Sequence, residues 1–102
     1  MVALLSTGLL RVQVGSGVGK VYDLYKALRI GRHPFNEISL ADPHASRYHC
    51  WITGGDAGFF IEDLASSNGT YVNGRRVQLR HRLSAGDVVR VGRTEFLFTE
   101  EE

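Results

Sequence analysis

Apolar and polar residues alternate at a two-residue spacing along most of the chain. Leu10, Val12 and Val14, for example, alternate with Arg11 and Gln13. Similar short runs continue to the end of the chain and predict about ten strands, because this alternation is typical of half-buried β-strands. Their apolar positions are Val18, Tyr22 and Leu24; Leu28 and Ile30; Ile38 and Leu40; Tyr48, Cys50 and Ile52; Phe59 and Ile61; Tyr71 and Val72; Val77 and Leu79; Val89 and Val91; and Phe96 and Phe98. No stretch keeps the three-to-four residue spacing of an amphipathic helix over three turns.

Glycine-rich turns separate the predicted strands. The pair Asn-Gly, which suits the positive φ angles of a tight hairpin turn, occurs at Asn68-Gly69 and at Asn73-Gly74. We expect Asn73-Gly74 to form a hairpin turn and Gly15–Lys20 to form a hairpin loop. From Tyr48 to Thr53 both parities carry bulky side chains, which predicts a strand covered on both faces. Many short strands with regular turns indicate an all-β sandwich or barrel.

The length and charge of the chain predict one domain without a large basic surface. A chain of 102 residues has the size of one domain and no room for a second core. We expect a single domain at 1–102 with its core at about 8–99, and a solvated acidic tail at 100–102. The formal net charge of +1 argues against a protein whose main function is to neutralise nucleic-acid phosphates. Any basic site is therefore expected to be local.

The sequence shows no membrane, metal or cofactor signal. Met1–Leu10 is mildly apolar, but it lacks a basic flank and is too short to span a membrane, so we expect a cytoplasmic location and no membrane partner. Cys50 is the only cysteine, which excludes an internal disulfide and a cysteine-rich metal site. No pair of histidines has the i, i+4 spacing of a helical zinc site. We expect no metal and no cofactor.

The sequence also lacks a visible carrier of catalysis. The segment Gly15–Lys20 ends in the Gly-Lys pair of a nucleotide phosphate loop. However, Val14 stands where such a loop has its first glycine, and Val21 stands where it has serine or threonine. No nucleophile elbow and no Ser/His/Asp set can be argued from the sequence. We expect that the chain is not an enzyme.

Three polar clusters carry the functional signal, and their order makes it specific. Gly31-Arg32 ends one predicted strand, Ser46–His49 enters another, and Asp63–Gly74 contains Ser-Ser-Asn-Gly-Thr and a second Asn-Gly. Together they resemble the forkhead-associated (FHA) domain family, and Gly86–Gly92 is similar to the family's penultimate strand. The resemblance implies a two-sheet β-sandwich of about eleven mostly antiparallel strands, FHA/SMAD-like, whose loops at one end recognise phosphothreonine on a partner protein.

The resemblance also implies a role for each residue of the clusters. Arg32 matches the phosphate-binding arginine, and Ser46 matches a serine that donates its hydroxyl to a phosphate oxygen. Arg47 stands where the family often has a second donor, and Ser67 matches a serine or threonine that contacts phosphate. Asn68 matches the asparagine that holds the peptide main chain after the phosphothreonine. Residues expected to support the site structurally are Gly31, His49, Ser66, Gly69, Thr70, Asn73 and Gly74. Of these, His49 is expected to join the binding loops by hydrogen bonds, and Ser66 to bond within its own turn.

Three functions from different classes are consistent with these features. The leading hypothesis is an adaptor that binds a phosphothreonine-containing protein, itself a substrate of a Ser/Thr kinase. The alternative is a phospho-independent assembly module of the same fold, but the presence of both Arg32 and Ser46 favours phosphate binding. The third is nucleic-acid binding through a basic run. That run consists of Arg75, Arg76, Arg80, His81 and Arg82. The near-neutral total charge and the lack of interleaved aromatic residues favour a solvated edge instead, and we expect no nucleic-acid partner.

Overall fold

The chain folds into two β-sheets that pack face to face. The computed structural model describes residues 7–24 and 27–101, and these contain strands, turns and loops but no helix. The strands are β1 (Thr7–Val14), β2 (Val21–Leu24), β3 (Leu28–Gly31), β4 (Ile38–Ser39), β5 (Cys50–Gly55), β6 (Gly58–Asp63), β7 (Thr70–Val72), β8 (Arg75–Arg76), β9 (His81–Arg82), β10 (Val88–Val91) and β11 (Thr94–Glu101). Nothing in these two ranges is a helix that could span a membrane.

The two sheets are built almost entirely from antiparallel neighbours. Six strands form one sheet in the order β2-β1-β11-β10-β7-β8, and five form the other in the order β4-β3-β5-β6-β9. Only β3 and β4 pair in parallel among the strands described. This architecture confirms the predicted all-β class and the two-sheet sandwich of mostly antiparallel strands.

The core lies between the inner faces of the two sheets. On β1, Leu10 and Val12 stand opposite Phe98 and Phe96 of β11, and all four are at most 1% exposed. The ring of Phe59, on β6 of the other sheet, contacts that of Phe98 edge to face with 5.5 Å between the ring centroids. Alternation of buried and solvated positions is what a packed pair of sheets requires. These four apolar positions of the alternating pattern on β1 and β11 are therefore positions of this core.

The strand predicted at Val77 and Leu79 is wrong. β8 ends at Arg76, β9 begins at His81, and the side chain of Leu79 is 87% exposed. The segment between them crosses from the edge of one sheet to the edge of the other. Val77 is buried in the core and Leu79 is exposed to solvent, so the two-residue spacing between them does not reflect a strand.

Two other strands begin later than the sequence predicted. Val18 lies in the β1–β2 loop and is 64% exposed, so β2 begins at Val21. β5 begins at Cys50 instead of Tyr48, and the prediction that both of its faces are covered is also wrong. Cys50 and Ile52 are buried, but Trp51 on the opposite face is only half-buried. The described residues form two sheets and no third layer that would cover this outer face.

The predicted acidic tail is partly strand. β11 continues to Glu101, where Glu100 pairs with Gly8 and the backbone of Glu101 pairs with Thr7. Residues 100 and 101 therefore extend the strand beyond the core that was predicted to end at about residue 99. Backbone pairing with β1 extends the ladder even though the glutamate at position 100 is exposed. Glu102 lies outside the described residues.

Both predicted hairpin turns are confirmed. Asn73 and Gly74 have φ angles of 52° and 79°, the two positive values that the preferred two-residue hairpin turn requires, and they join β7 to β8. The Gly15–Lys20 loop joins β1 to β2 and is closed by backbone hydrogen bonds between Val12 and Lys20 (2.9 Å) and between Gly19 and Val12 (3.0 Å).

The Gly74→Ala substitution should lower the free energy of unfolding by about 1 kcal/mol, because a Cβ is disfavoured at a left-handed φ. The space around Gly74 is empty, so the backbone angle is the only obstacle. Gly55→Ala is the matched control, since it also faces empty space but has no left-handed φ. Urea unfolding of both variants measures the difference, and an equal effect on the two proteins would contradict this explanation.

Candidate functional site

Three loops meet at one end of the five-stranded sheet. In the strand register, Ile30 at the end of β3 stands opposite Cys50 at the start of β5, which in turn stands opposite Asp63 at the end of β6. The loops that leave β3, enter β5 and leave β6 therefore converge, and the last leads into β7. They enclose an open cavity of about 530 Å³. The lining residues are Arg32, Pro43, His44, Ala45, Ser46, Arg47, Tyr48, Leu64, Ser67 and Asn68.

Backbone hydrogen bonds hold the first two loops side by side. The amide of Arg32 donates to the carbonyl of Ser46 (2.9 Å), and the amide of His33 donates to the carbonyl of Arg47 (3.1 Å). The Arg47 carbonyl passes so close to Gly31 that an added Cβ there would collide with it. Glycine at this position therefore permits the contact that places Arg32 beside Ser46.

The guanidinium of Arg32 is oriented by its own Nε. That nitrogen donates to the carbonyl of Ala45 at 2.8 Å, which leaves the two terminal nitrogens available to the cavity. Arg47 lines the same space, and no lining residue is acidic. A planar cationic fork beside a second cation, with no carboxylate to neutralise them, attracts an anion with several oxygens.

Neutral donors complete the lining of the cavity. The hydroxyl oxygen of Ser46 accepts a hydrogen bond from the amide of Ser67 (2.9 Å), so its hydrogen remains available to a ligand. The side-chain amide of Asn68 donates to the carbonyl of His44 (2.8 Å). Its oxygen and its second amide hydrogen stay available, so Asn68 can still accept from and donate to a peptide group.

A buried histidine connects two of the loops. His49 is fully buried; its Nδ1 accepts from the amide of Ser46 (3.0 Å), and its Nε2 bonds the carbonyl of Gly69 (2.8 Å). These partners assign the ring hydrogen to Nε2, since a carbonyl can only accept. The ring thus fixes the positions of Ser46 and of the segment that follows Asn68 relative to each other.

Asp63 orders the loop before β7. Its carboxylate accepts from the amide of Ser66 (2.9 Å) and from the hydroxyls of Ser66 and Thr70, while the Ser66 hydroxyl accepts from the amide of Gly69 (2.9 Å). Burial opposes ionisation of Asp63, but the hydrogen bonds from Ser66 and Thr70 outweigh it and lower its pKa. Ionised Asp63 therefore stabilises the turn that presents Ser67 and Asn68.

Two supporting residues of the site were missed by the sequence analysis. Asp42 accepts from the amides of His44 (2.9 Å) and Arg93 (2.8 Å) and from the hydroxyl of Thr94 (2.8 Å). Burial works against its charge, but these bonds outweigh it, so its pKa is also lowered. Asn36 donates to the carbonyl of Arg47 (2.7 Å) and holds the first loop against the second. The available signals were an aspartate before Pro43 and an asparagine within a loop, both typical of turns.

Cys50, directly behind the site, has the properties of a structural thiol. Burial raises its pKa to about 12, an effect that the charge of Asp63 increases and a hydrogen bond with Thr70 only partly opposes. A neutral, buried thiol is neither a nucleophile nor a ready metal ligand. Across the described ranges, no group of three His, Cys, Asp or Glu residues is arranged to hold a metal ion.

The structure brings together the five residues predicted to bind ligand, since Arg32, Ser46, Arg47, Ser67 and Asn68 all line the cavity. The predicted supporting residues behind them are Gly31, His49, Ser66, Gly69 and Thr70, each with the contacts given above. Asn73 and Gly74 are not part of this group. They form the β7–β8 turn at the opposite end of β7 from Thr70, where Asn73 bonds Asp87 (2.9 Å) and the amide of Val88 (2.9 Å).

The fold and the cavity agree with comparisons to known proteins. The FHA domain family model matches residues 28–92, and the chain belongs to this family. It is 37% identical over 94 residues to the oxoglutarate dehydrogenase inhibitor of Corynebacterium diphtheriae, covering 91% of this chain and 65% of that protein. The chain spans less than two thirds of the length of the curated relatives it matches.

Solved structures show the same relationship. The FHA domain of the CT664 protein from Chlamydia trachomatis aligns with a TM-score of 0.86 and 35% identity, covering 94% of this chain and 99% of that one. Mycobacterium tuberculosis EmbR in complex with a low-affinity phosphopeptide aligns with a TM-score of 0.84 and 34% identity, covering 91% of this chain and 24% of that one. The predicted family is confirmed.

The Asp63→Asn variant should lose about 1–2 kcal/mol of stability at neutral pH, because a charged acceptor of several hydrogen bonds is removed. The pKa of folded Asp63 is below its ordinary value, so its contribution is present above about pH 4 and is lost as the pH falls through the folded pKa. Urea unfolding from pH 7 to about pH 3 should show the two proteins converging at acid pH. Asp56→Asn, in the exposed β5–β6 turn, is the control. A stability difference that does not change with pH would contradict this role of the charge.

Proposed function

We propose that the cavity binds the phosphate of a phosphothreonine on a partner protein. The observation that carries this proposal is the convergence of Arg32, Arg47 and the Ser46 hydroxyl on one open cavity without an acidic lining residue. A phosphorylated threonine bears close to two negative charges and three strong acceptor oxygens at pH 7. The cavity offers the complementary set: two cations, neutral donors and access from solvent.

Each donor suits a different part of the phosphate. The terminal nitrogens of Arg32 can contact two oxygens at once, because its Nε is already bonded to Ala45. Ser46 donates its hydroxyl hydrogen to another oxygen, and Ser67 lies beside it. Arg47 supplies the second positive charge. In this arrangement the donors are positioned before the ligand arrives, which lowers the entropy lost on binding.

Asn68 favours a phosphorylated peptide over free phosphate as the ligand. Its side-chain amide lines the cavity and is positioned by the hydrogen bond to the carbonyl of His44. One donor and one acceptor remain to hold a main-chain peptide unit next to the phosphothreonine. The structures similar to this chain include EmbR with a phosphopeptide, which supports a peptide ligand.

The resulting activity is that of an adaptor in Ser/Thr-kinase signalling. Phosphorylation of a partner protein creates the ligand, and binding then recruits that partner to the protein that contains this domain. The proposal needs no catalytic group and no cofactor. The cytoplasmic location of this activity stays a prediction from the sequence, as do the identities of the kinase and the partner protein.

Binding should require the phosphate and should depend on Arg32 and Ser46. We expect Arg32→Ala to weaken binding of a phosphothreonine peptide about 10- to 100-fold, because charge-assisted hydrogen bonds are worth roughly 1.5–3 kcal/mol. Ser46→Ala should have a smaller effect in the same direction. Fluorescence anisotropy with a library of phosphothreonine peptides and their unphosphorylated counterparts measures both.

Arg11→Ala is the matched control, because it removes the same charge from an exposed position on β1, outside the cavity lining. Its affinity should stay within about twofold of the wild-type value, as expected for a screened surface charge. Equal binding of phosphorylated and unphosphorylated peptides would contradict the proposal and favour a phospho-independent assembly module. The same holds if folded Arg32→Ala protein keeps full affinity.

A further inference from the structure

A second basic surface lies at one edge of the sandwich. β8 is the edge strand of the six-stranded sheet and β9 that of the five-stranded sheet, and residues 77–80 connect them. Four exposed arginines line a depression of about 810 Å³ along this edge. They are Arg75, Arg76, Arg80 and Arg82, called the arginine surface below.

The arginine surface has little internal neutralisation. Within the described residues, neither an ion pair nor a side-chain hydrogen bond holds the guanidinium groups of Arg75, Arg76 and Arg82. Of the four arginines, Arg80 has a carboxylate within ion-pair distance, that of Glu62 at 4.0 Å. Asp87 also lines the depression, but its carboxylate is bonded to Asn73 (2.9 Å) and to the amide of Ser84 (2.8 Å). The uncompensated charge therefore requires an anionic partner or solvent ions.

Arg76 brings this surface close to the cavity proposed to bind phosphate. Arg76 pairs with Tyr71 on β7, and its side chain turns back along Gly69, where an added Cβ would lie 2.9 Å from its Nε. Gly69 directly follows Asn68, which lines the cavity. Arg76 therefore lies beside the residue that follows Asn68, and it lines the depression together with the exposed side chain of Leu79.

We propose that the arginine surface binds an acidic segment of the same phosphorylated partner, next to its phosphothreonine. The proposal rests on the phosphothreonine binding proposed above, because the cavity fixes one end of the ligand. Asp and Glu side chains match the free guanidinium groups, which can hold carboxylates with two parallel hydrogen bonds. The arginine surface then selects among phosphorylated partners by the charge of the residues beside the phosphothreonine.

A nucleic acid fits this surface less well than an acidic peptide. Binding of single strands uses exposed aromatic rings on which bases stack. Two rings near this edge are each covered by an arginine: Cζ of Arg80 lies 3.9 Å from the ring centroid of Phe60, and Cζ of Arg90 lies 4.2 Å from that of Tyr71. The exposed ring in the depression is His81, a single imidazole and not a row of stacking rings. The exposed apolar group is Leu79, which suits a peptide side chain.

Protection of the sheet edges is a different explanation for charges on β8 and β9, since charged edge strands prevent pairing between molecules. Positive and negative charges protect a sheet edge equally well, so edge protection alone does not explain why every charge here is positive. No acidic residue occurs between Asp63 and Asp87. It also gives no reason for a depression or for a solvated leucine within it. If protection were the sole role, loss of these arginines would promote aggregation and leave peptide affinity unchanged.

The test compares a phosphothreonine peptide that binds the protein with versions extended at either end by a run of aspartates or asparagines. At low salt, an aspartate extension at one end should tighten binding about three- to tenfold relative to asparagine, as expected for two or more surface ion pairs. The gain should disappear in Arg75→Gln/Arg82→Gln protein and shrink at about 0.5 M salt. The peptide without an extension should bind both proteins equally.

Arg11→Gln/Lys20→Gln is the matched control, because it removes the same charge from β1 and the β1–β2 loop, near the opposite edge of the six-stranded sheet. It should keep the gain. The proposal is overturned if neither extension tightens binding, if the gain survives in Arg75→Gln/Arg82→Gln protein, or if the control loses it equally. Tighter binding of a DNA oligonucleotide through the same two arginines would overturn it in favour of nucleic acid.

A second measurement separates this proposal from the proposed function. An unphosphorylated aspartate-rich peptide is added to ¹⁵N-labelled protein, and NMR shifts should appear at residues 72–82 of the wild type and be lost in Arg75→Gln/Arg82→Gln protein. These shifts should appear even if no phosphothreonine peptide binds, in which case only the function of the cavity fails. Phosphopeptide binding without these shifts would overturn the acidic-segment proposal alone.

Discussion

The cavity that we propose binds phosphate is held in shape by the buried imidazole of His49. Its two nitrogens bond the Ser46 amide at 3.0 Å and the Gly69 carbonyl at 2.8 Å. One rigid ring therefore joins its own loop to a loop twenty residues further along the chain. If either loop moved away, it would break one of these bonds and leave a buried polar group unpaired. The free energy of such an unpaired group opposes the movement. The donors of Arg32, Ser46 and Asn68 are consequently held in place without ligand. Such preorganisation is what gives a small open site useful affinity.

The acidic and the basic residues around the cavity have different roles. Asp42 and Asp63 lie behind the loops and accept hydrogen bonds from backbone amides and hydroxyls, while Arg32 and Arg47 face the cavity. The carboxylates thus order the loops without neutralising the arginines. The result is a site whose positive charge is balanced only when an anion binds. The arginine surface extends the same principle along the edge of the sandwich, where three of the four arginines form no ion pair within the described residues.

The sequence predicted the lining of the cavity better than its support. Arg32, Ser46 and Asn68 were found because each stands in a short motif whose order along the chain is specific. Asp42 was missed because its partners Arg93 and Thr94 are 51 and 52 residues away, and no local pattern reports a hydrogen bond of that separation. The alternation predicted an all-β sandwich or barrel, and the family resemblance predicted the two sheets. The alternation misassigned Leu79, because a short segment that crosses between edges can show the spacing of a strand by chance.

The most direct test of the account is an NMR titration of ¹⁵N-labelled protein with a phosphothreonine peptide that has no acidic flanking residues. We expect shifts at the Arg32 side-chain Nε and at backbone amides in 32–33, 44–49 and 64–69. The rest of the sandwich should be unchanged, and the unphosphorylated peptide should cause no shifts. Equal shifts from both peptides, or shifts confined to another surface, would contradict the claim that these loops form a preorganised phosphate site.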